Sequence, residues 1–296
     1  MRILVPVDAS VHSRNAIRYV VGRQTLKDKA DIDFVTVIKP LPTSIERYLT
    51  LDALEAYKDA EAETALGPVI EEAKAAGFSA HVERLTGDPI ESIKVRVEKT
   101  HPDLIVMGAR GMRNVKSWLL GSVSRGVLSQ TKTPVLLIRG DIPPVDRPLK
   151  IGLCVDGSFY GDKAADYVIA HPELFGDAAQ LHLIYVADDI ARAVMPSMVS
   201  GAVLSPSSQE NLAIHAKEWE TATKTVEQKL KAAGQPYIRA CLAGLADEAI
   251  PAYADEQELD LLVMGSHGWG NFKSLMLGST TQRVAALSEI PLLIIR

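Results

Sequence analysis

Leu104-Ile-Val-Met-Gly-Ala-Arg-Gly111 and, far downstream, Leu261-Leu-Val-Met-Gly-Ser-His-Gly268 are one phrase written twice. In each copy nine residues follow the second glycine, and then a Gly-Ser pair arrives, Gly121-Ser122 and Gly278-Ser279. Each copy opens on four apolar residues, as a short buried strand does. Each runs on into a helical stretch, a proline and a closing apolar strand, 134–138 and 291–295. A strand that breaks into a glycine-rich turn and enters a helix presents backbone N–H groups to an anion. Two such turns point to two nucleotide pockets in one molecule.

The duplication extends outward from these turns. Val5-Pro-Val-Asp8-Ala-Ser10 matches Leu153-Cys-Val-Asp156-Gly-Ser158, and Phe34-Val-Thr-Val37 matches Leu183-Ile-Tyr-Val186. Ala73-Lys-Ala-Ala-Gly77 matches Leu230-Lys-Ala-Ala-Gly234, and Gly87 matches Gly244. The offset is 148 residues at Asp8 and Asp156 but 157 at Gly87 and Gly244, so the second half carries an insertion. It falls in 188–207, around Met195-Pro-Ser-Met-Val-Ser-Gly201; a lid, a contact surface and a plain loop are the readings open to it. The halves are joined by Gly140-Asp-Ile-Pro-Pro-Val-Asp-Arg-Pro148, which its prolines make extended and stiff. Two domains are expected, 1–140 and 149–296.

Within each half, short apolar runs alternate with longer helical stretches. Strands are predicted near 2–7, 32–38, 80–85, 103–107 and 134–138, with helices near 12–23, 46–76, 88–100 and 117–130. The second half repeats the order, with strands near 150–155, 181–187, 237–242, 260–264 and 291–295. Its helices are predicted near 158–171, 208–233, 245–257 and 275–287. Continuous apolar strands alternating with helices imply crossover connections and a doubly wound parallel sheet covered on both faces. Ligands of such sheets bind beyond the carboxyl ends of the strands. Asp8, Asp156 and both glycine turns fall there.

Bulk properties narrow the function. The 296 residues suit two domains of ordinary size, and 47% hydrophobic content is enough for two cores. Aromatics are only 5%, so those cores are aliphatic. A net charge of −5 argues against nucleic acid as the main partner. No apolar run approaches the roughly 18 residues of a membrane span. The chain enters a strand at Arg2 without a signal-peptide core, so a cytoplasmic protein with no membrane partner is expected. The two cysteines, Cys154 and Cys241, show no metal or disulfide spacing and read as buried reduced thiols.

The chemistry-bearing positions each allow two readings. Gly108 and Gly265 end a strand, where a side chain would obstruct a phosphate; Gly111 and Gly268 suit a tight turn with positive φ. Gly121, Ser122, Gly278 and Ser279 open the last helix and can add N–H donors, a hydroxyl and a helix dipole. Turn geometry alone is the other reading of these glycines. Asp8 and Asp156 either accept hydrogen bonds from a ligand or serve as cap and turn residues. Val37, Val186, Met107 and Met264 either edge a flat base or pack the core. Arg110 with His267, and Lys116 with Lys273, are matched pairs that suit a phosphate or solvent equally. His267 is the residue best suited by type to acid–base work. Neither the P-loop pattern nor the dinucleotide fingerprint occurs.

Taken together, Val5-Pro-Val-Asp8-Ala-Ser10, the doubled G-x2-G-x9-G-S motif and the closing strands Pro134-Val-Leu-Leu-Ile-Arg139 and Pro291-Leu-Leu-Ile-Ile-Arg296 resemble the universal stress protein family. Nearly the whole chain is covered, as two family domains in tandem. The resemblance implies an α/β fold of adenine nucleotide alpha hydrolase type, a five-stranded parallel sheet in each domain. It also implies an adenine nucleotide ligand, ATP, ADP or AMP, with Mg2+ as an optional companion of the nucleotide. Asp8, Val37 and Met107 would meet the adenosine, and Gly108, Gly111, Gly121 and Ser122 the phosphates. Asp156, Val186 and Met264, with Gly265, Gly268, Gly278 and Ser279, would do the same in the second domain. Family domains pair through their last strands, which implies an internal pseudo-dimer here and a homodimer of chains beyond it. Cys154 in place of Pro6, and the 188–207 insertion, depart from the first half. The leading expectation is a nucleotide-binding regulator of the stress response with little turnover. A slow ATPase or phosphotransferase using His267 or the aspartates is the alternative, although the SGGxDS loop of related ATP pyrophosphatases is absent. A protein-interaction scaffold with vestigial sites is a third.

Overall fold

The structure is a computed structural model of the chain and describes residues 1–109, 120–142, 147–176, 178–187, 208–268 and 277–296. Contacts divide the chain into two compact units, the first dominated by Met1–Arg147 and the second by Pro148–Lys273.

The first unit runs β1 (Arg2–Val7), α1 (Val11–Val21), β2 (Asp31–Ile38), α2 (Thr43–Glu46), α3 (Leu51–Ala75), β3 (His81–Thr86), α4 (Pro89–Thr100), β4 (Leu104–Gly108), α5 (Ser122–Gln130) and β5 (Val135–Ile138). Its strands lie in the order β3-β2-β1-β4-β5, and every neighbouring pair is parallel. β1 and β4 are central, and Ile3, Leu4, Leu104 and Ile105 are fully buried. Burying such a side chain contributes about 1.5–3 kcal/mol relative to leaving it exposed. α3 buries Ala62, Ala65, Leu66, Val69 and Ala73, a stripe at helical spacing. It packs with α1, and α4 packs with α5. β1 pairs with β2 at Val5 and Phe34, which fixes the register of the central strands.

The second unit repeats the plan: β6 (Lys150–Cys154), α6 (Phe159–Ala170), α7 (Pro172–Phe175), β7 (Gln180–Ala187), α8 (Ser208–Ala232), β8 (Tyr237–Ala243), α9 (Ala246–Glu256), β9 (Leu261–Gly265), α10 (Ser279–Leu287) and β10 (Leu292–Ile295). The strand order is β10-β9-β6-β7-β8. β6 is parallel to β7 and to β9, and β7 to β8. α6 packs with α8, and α9 with α10. No helix among the described residues is long and apolar enough to cross a membrane.

Three sequence expectations change. The helix read over 46–76 begins only at Leu51, because Thr50 takes extended backbone (φ −73°, ψ 160°) and its hydroxyl accepts the Ala53 N–H at 3.2 Å. A threonine that caps a new helix ends whatever precedes it. The helix read over 158–171 likewise stops at Ala170, and His171 (φ −126°, ψ 57°) separates it from α7. Cys154 is buried as expected, but Cys241 is exposed, since it lies on the edge strand β8.

Candidate functional site

The chain leaves β1 for β2 on one side and returns to β4 on the other; β6, β7 and β9 repeat that reversal in the second unit. Doubly wound sheets open a crevice at such a point, beyond the carboxyl ends of the strands. A cavity of about 300 Å³ lies there in the first unit and one of about 380 Å³ in the second.

The strand-end glycines shape both mouths. A Cβ on Gly108 would stand 2.7 Å from the His12 carbonyl carbon and oxygen, in α1. A Cβ on Gly265 would stand 2.6 Å from Tyr160 Cβ and 2.8 Å from its carbonyl carbon, in α6. The first helix of each unit therefore passes directly over the strand end. Helix–strand packing is thus a reason for glycine at these two positions beside the phosphate reading. The sequence reading of Gly268 is corrected. It has no positive φ, and a Cβ there would lie 2.5 Å from Asp156 Oδ2, the end of a side chain that can turn aside.

The last helix is then pinned over the strand end by the same bonds in both units. Gly121 N–H donates to the Ala109 carbonyl and Gly278 N–H to the Ser266 carbonyl, each at 2.8 Å. Ser124 Oγ donates to the Gly108 carbonyl at 2.9 Å, and Thr281 Oγ1 to the Gly265 carbonyl at 2.8 Å. Gly121 and Gly278 are the N-caps of α5 and α10, and neither helix receives a side-chain cap. The N–H groups of a helix's first turn have no intrahelical acceptor, and the helix dipole adds partial positive charge there. Each cleft thus contains a ready cradle for an anion.

Asp8 and Asp156 follow β1 and β6 and line the same clefts. Asp8 Oδ1 accepts from Ser10 N–H at 3.1 Å, from Ser10 Oγ at 2.5 Å and from Ser13 Oγ at 2.7 Å. Asp156 Oδ1 accepts from Ser158 N–H at 3.0 Å. The serines, not the aspartates, cap the helices: Ser10 accepts from Ser13 N–H and Ser158 from Gly161 N–H. The turn role weighed for both aspartates is therefore real, and Oδ1 of each takes part in it.

Asp8, Val37, Met107, Gly108, Gly121 and Ser122 line the first cleft together. Asp156, Val186, Met264, Gly265, Gly268, Gly278 and Ser279 line the second. Gly111, Arg110, Lys116, Lys273 and the insertion 188–207 lie outside the described residues. His267 lines the second cleft, with Nδ1 at 3.0 Å from Ser266 Oγ and its ring tilted against Tyr160. Cys154 lines it as well; burial pushes its thiol far above the usual range, so it stays protonated and unreactive. Among the described residues no group of three or more His, Cys, Asp or Glu side chains is placed to hold a metal ion.

Sequence reasoning missed one wall of each cleft. In the first unit it is Tyr57, Glu61 and Thr64 of α3, with Lys39 beyond β2. In the second it is Ala246 and Ile250 of α9. Tyr57, Glu61 and Thr64 share one helical face, which periodicity could have marked, but not the cleft that face borders. Ser124 and Thr281 carried a legible sign, a hydroxyl three residues after each helix-opening glycine.

The universal stress protein family model matches the chain twice, over residues 1–139 and 149–296. A universal stress protein of Mycolicibacterium smegmatis is 27% identical, covering 99% of this chain and 96% of its own length. One from Mycobacterium bovis is 24% identical, covering 99% of this chain and 94% of its own. The crystal structure of a universal stress protein from Archaeoglobus fulgidus superposes with a TM-score of 0.70 at 25% identity, over 100% of this chain and 98% of that one. Matched twice along its length and related throughout to proteins of that name, the chain belongs to the universal stress protein family.

Proposed function

We propose that each domain, 1–140 and 149–296, binds an adenine nucleotide in the cleft described above, and that occupancy rather than turnover is the output in a stress response. The observation that carries this is the duplicated cradle: an uncapped helix N-terminus, pinned over a strand end by two matching hydrogen bonds. The phosphates of ATP, ADP or AMP would lie against Gly121 and Ser122, or Gly278 and Ser279. The adenosine would lie along Val37 and Met107, or Val186 and Met264, with the carboxylate of Asp8 or Asp156 accepting from it. Volumes of about 300 and 380 Å³ fall at the small end of ligand-pocket sizes. Mg2+ would enter with ATP, on its phosphates. Commitment of Oδ1 in both aspartates to their turns favours binding over metal-assisted hydrolysis.

Titration calorimetry with ATP, ADP and AMP tests this, with up to two sites per chain expected. No heat at millimolar nucleotide overturns it. Pairing of the two domains, and a homodimer of chains, belong to the same proposal and rest on the family resemblance; sedimentation of the full chain tests the homodimer.

A further inference from the structure

The two clefts differ at one hydroxyl. Ser13, in the first turn of α1, is buried and lines the first cleft. The offset of 148 that matches Asp8 to Asp156 also matches Ser13 to Gly161, which lines the second cleft and carries no hydroxyl. Ser13 Oγ accepts the Asp8 N–H at 3.0 Å and donates to Asp8 Oδ1 at 2.7 Å. One hydroxyl thus ties the main chain of Asp8 to its own carboxylate. Ser10 Oγ closes the network, accepting the Ser13 N–H at 3.2 Å and donating to the same Oδ1 at 2.5 Å. Bonds linked in this way polarise one another and strengthen together. In the second unit Ser158 Oγ accepts the Gly161 N–H at 3.4 Å and donates to the His267 carbonyl at 3.4 Å.

We infer that Ser13 is a positioning residue of the first cleft, holding the Asp8 carboxylate in the orientation that serves a ligand, and that Gly161 leaves the second cleft without this device. The inference rests on the nucleotide reading above. A free aspartate side chain turns about its bonds, and a ligand that binds it must stop that motion. Fixing the side chain beforehand removes this cost from binding. Ser10 N–H, Ser10 Oγ and Ser13 Oγ all donate to Oδ1, which leaves Oδ2 as the acceptor for the cleft that Asp8 lines. Ser13 acts through Asp8 alone. It is not the cap of α1, because that acceptor is Ser10.

The fold of the second unit does not require glycine at 161. A Cβ there would meet Val155 at 3.6 Å, an ordinary van der Waals contact. A serine would therefore fit, and it would stand on α6 where Ser13 stands on α1.

Titration calorimetry of ATP into the full chain reads both sites. Ser13→Ala is expected to weaken one of the two sites by about two- to tenfold and leave the other unchanged. In a chain already carrying Asp8→Ala, Ser13→Ala should weaken binding no further, since the carboxylate it positions is gone. A merely structural serine would lower affinity equally in both backgrounds. Equal loss in both, or loss in neither, overturns the inference and leaves the nucleotide reading standing. Gly161→Ser is expected to tighten the other site by about two- to tenfold. If Ser13→Ala does not fold, or Asp8→Ala abolishes first-site binding, Gly161→Ser decides: unchanged affinity at both sites overturns the inference. No binding by wild type overturns the nucleotide reading, and the inference falls with it.

Discussion

The hydrogen that Gly108 and Gly265 carry in place of a side chain lets a helix cross the end of a strand. An added methyl would meet His12 backbone at 2.7 Å, or Tyr160 at 2.6 Å, and neither backbone can yield without moving α1 or α6. Gly108→Ala is therefore expected to destabilise the chain by about 1–3 kcal/mol, the usual cost of overpacking. Urea denaturation would show it as a lower midpoint at an unchanged slope; a wild-type midpoint would refute the packing argument. His182 offers a second residue-scale test. Burial first, and then the charge of Lys150, push its imidazole below the ordinary value of 6.5. Its Nδ1 lies 2.8 Å from the Tyr253 hydroxyl. Because the folded state takes up this proton less readily than the unfolded chain, its contribution is intact above pH 6.5. That contribution is lost as pH falls from there through the folded-state value. His182→Gln should flatten part of the fall in urea midpoint between about pH 7.5 and 5.5, and parallel profiles for the two proteins would count against it.

At the scale of elements, helix ends carry the argument. Asp88 Oδ1 accepts the Ile90 and Glu91 N–H groups at 3.0 and 3.1 Å and so caps α4. Asp88→Ala should cost about 1 kcal/mol in urea unfolding. α10 is the contrasting case, since Gly278 offers its first turn no side-chain acceptor. Ser279→Asp places a negative charge on that turn, which helix dipoles favour by about 0.3–1 kcal/mol. It should therefore leave stability unchanged or slightly raised while abolishing nucleotide binding in the second cleft. Calorimetry would then count one site fewer per chain; undiminished stoichiometry would mean that phosphate does not sit at α10. Elements also mark where sequence reading stopped short. Residues 46–76 contain helix formers almost throughout, and the short hydroxyl of Thr50, bonded to Ala53, is what starts a new helix inside them.

For the whole molecule, each occupied cleft would add to the stability of the folded state. A ligand at a hundred times its dissociation constant adds about 2.7 kcal/mol to the folded state at each site. Thermal melting with ATP should rise with concentration, and the rise should shrink when Ser279→Asp removes one site. A melting curve insensitive to millimolar ATP would contradict the nucleotide reading. The duplication explains why the architecture could be read at all. Each half carries the same strand, turn and helix signs, so a weak sign in one copy is corroborated in the other. Leu104-Ile-Val-Met107 alone is a short apolar run; with Leu261-Leu-Val-Met264 and the same glycines after it, it is a strand at a cleft.

Sequence alone determined the repeated α/β order, the parallel sheets and the residues at the carboxyl ends of their strands. Apolar period, glycine spacing and proline position are properties of neighbours along the chain. Tertiary structure decided what packs over Gly108 and Gly265, and which wall α3 or α9 adds to each cleft. Those depend on residues far apart in sequence meeting within a few ångströms, and no local pattern records such a distance.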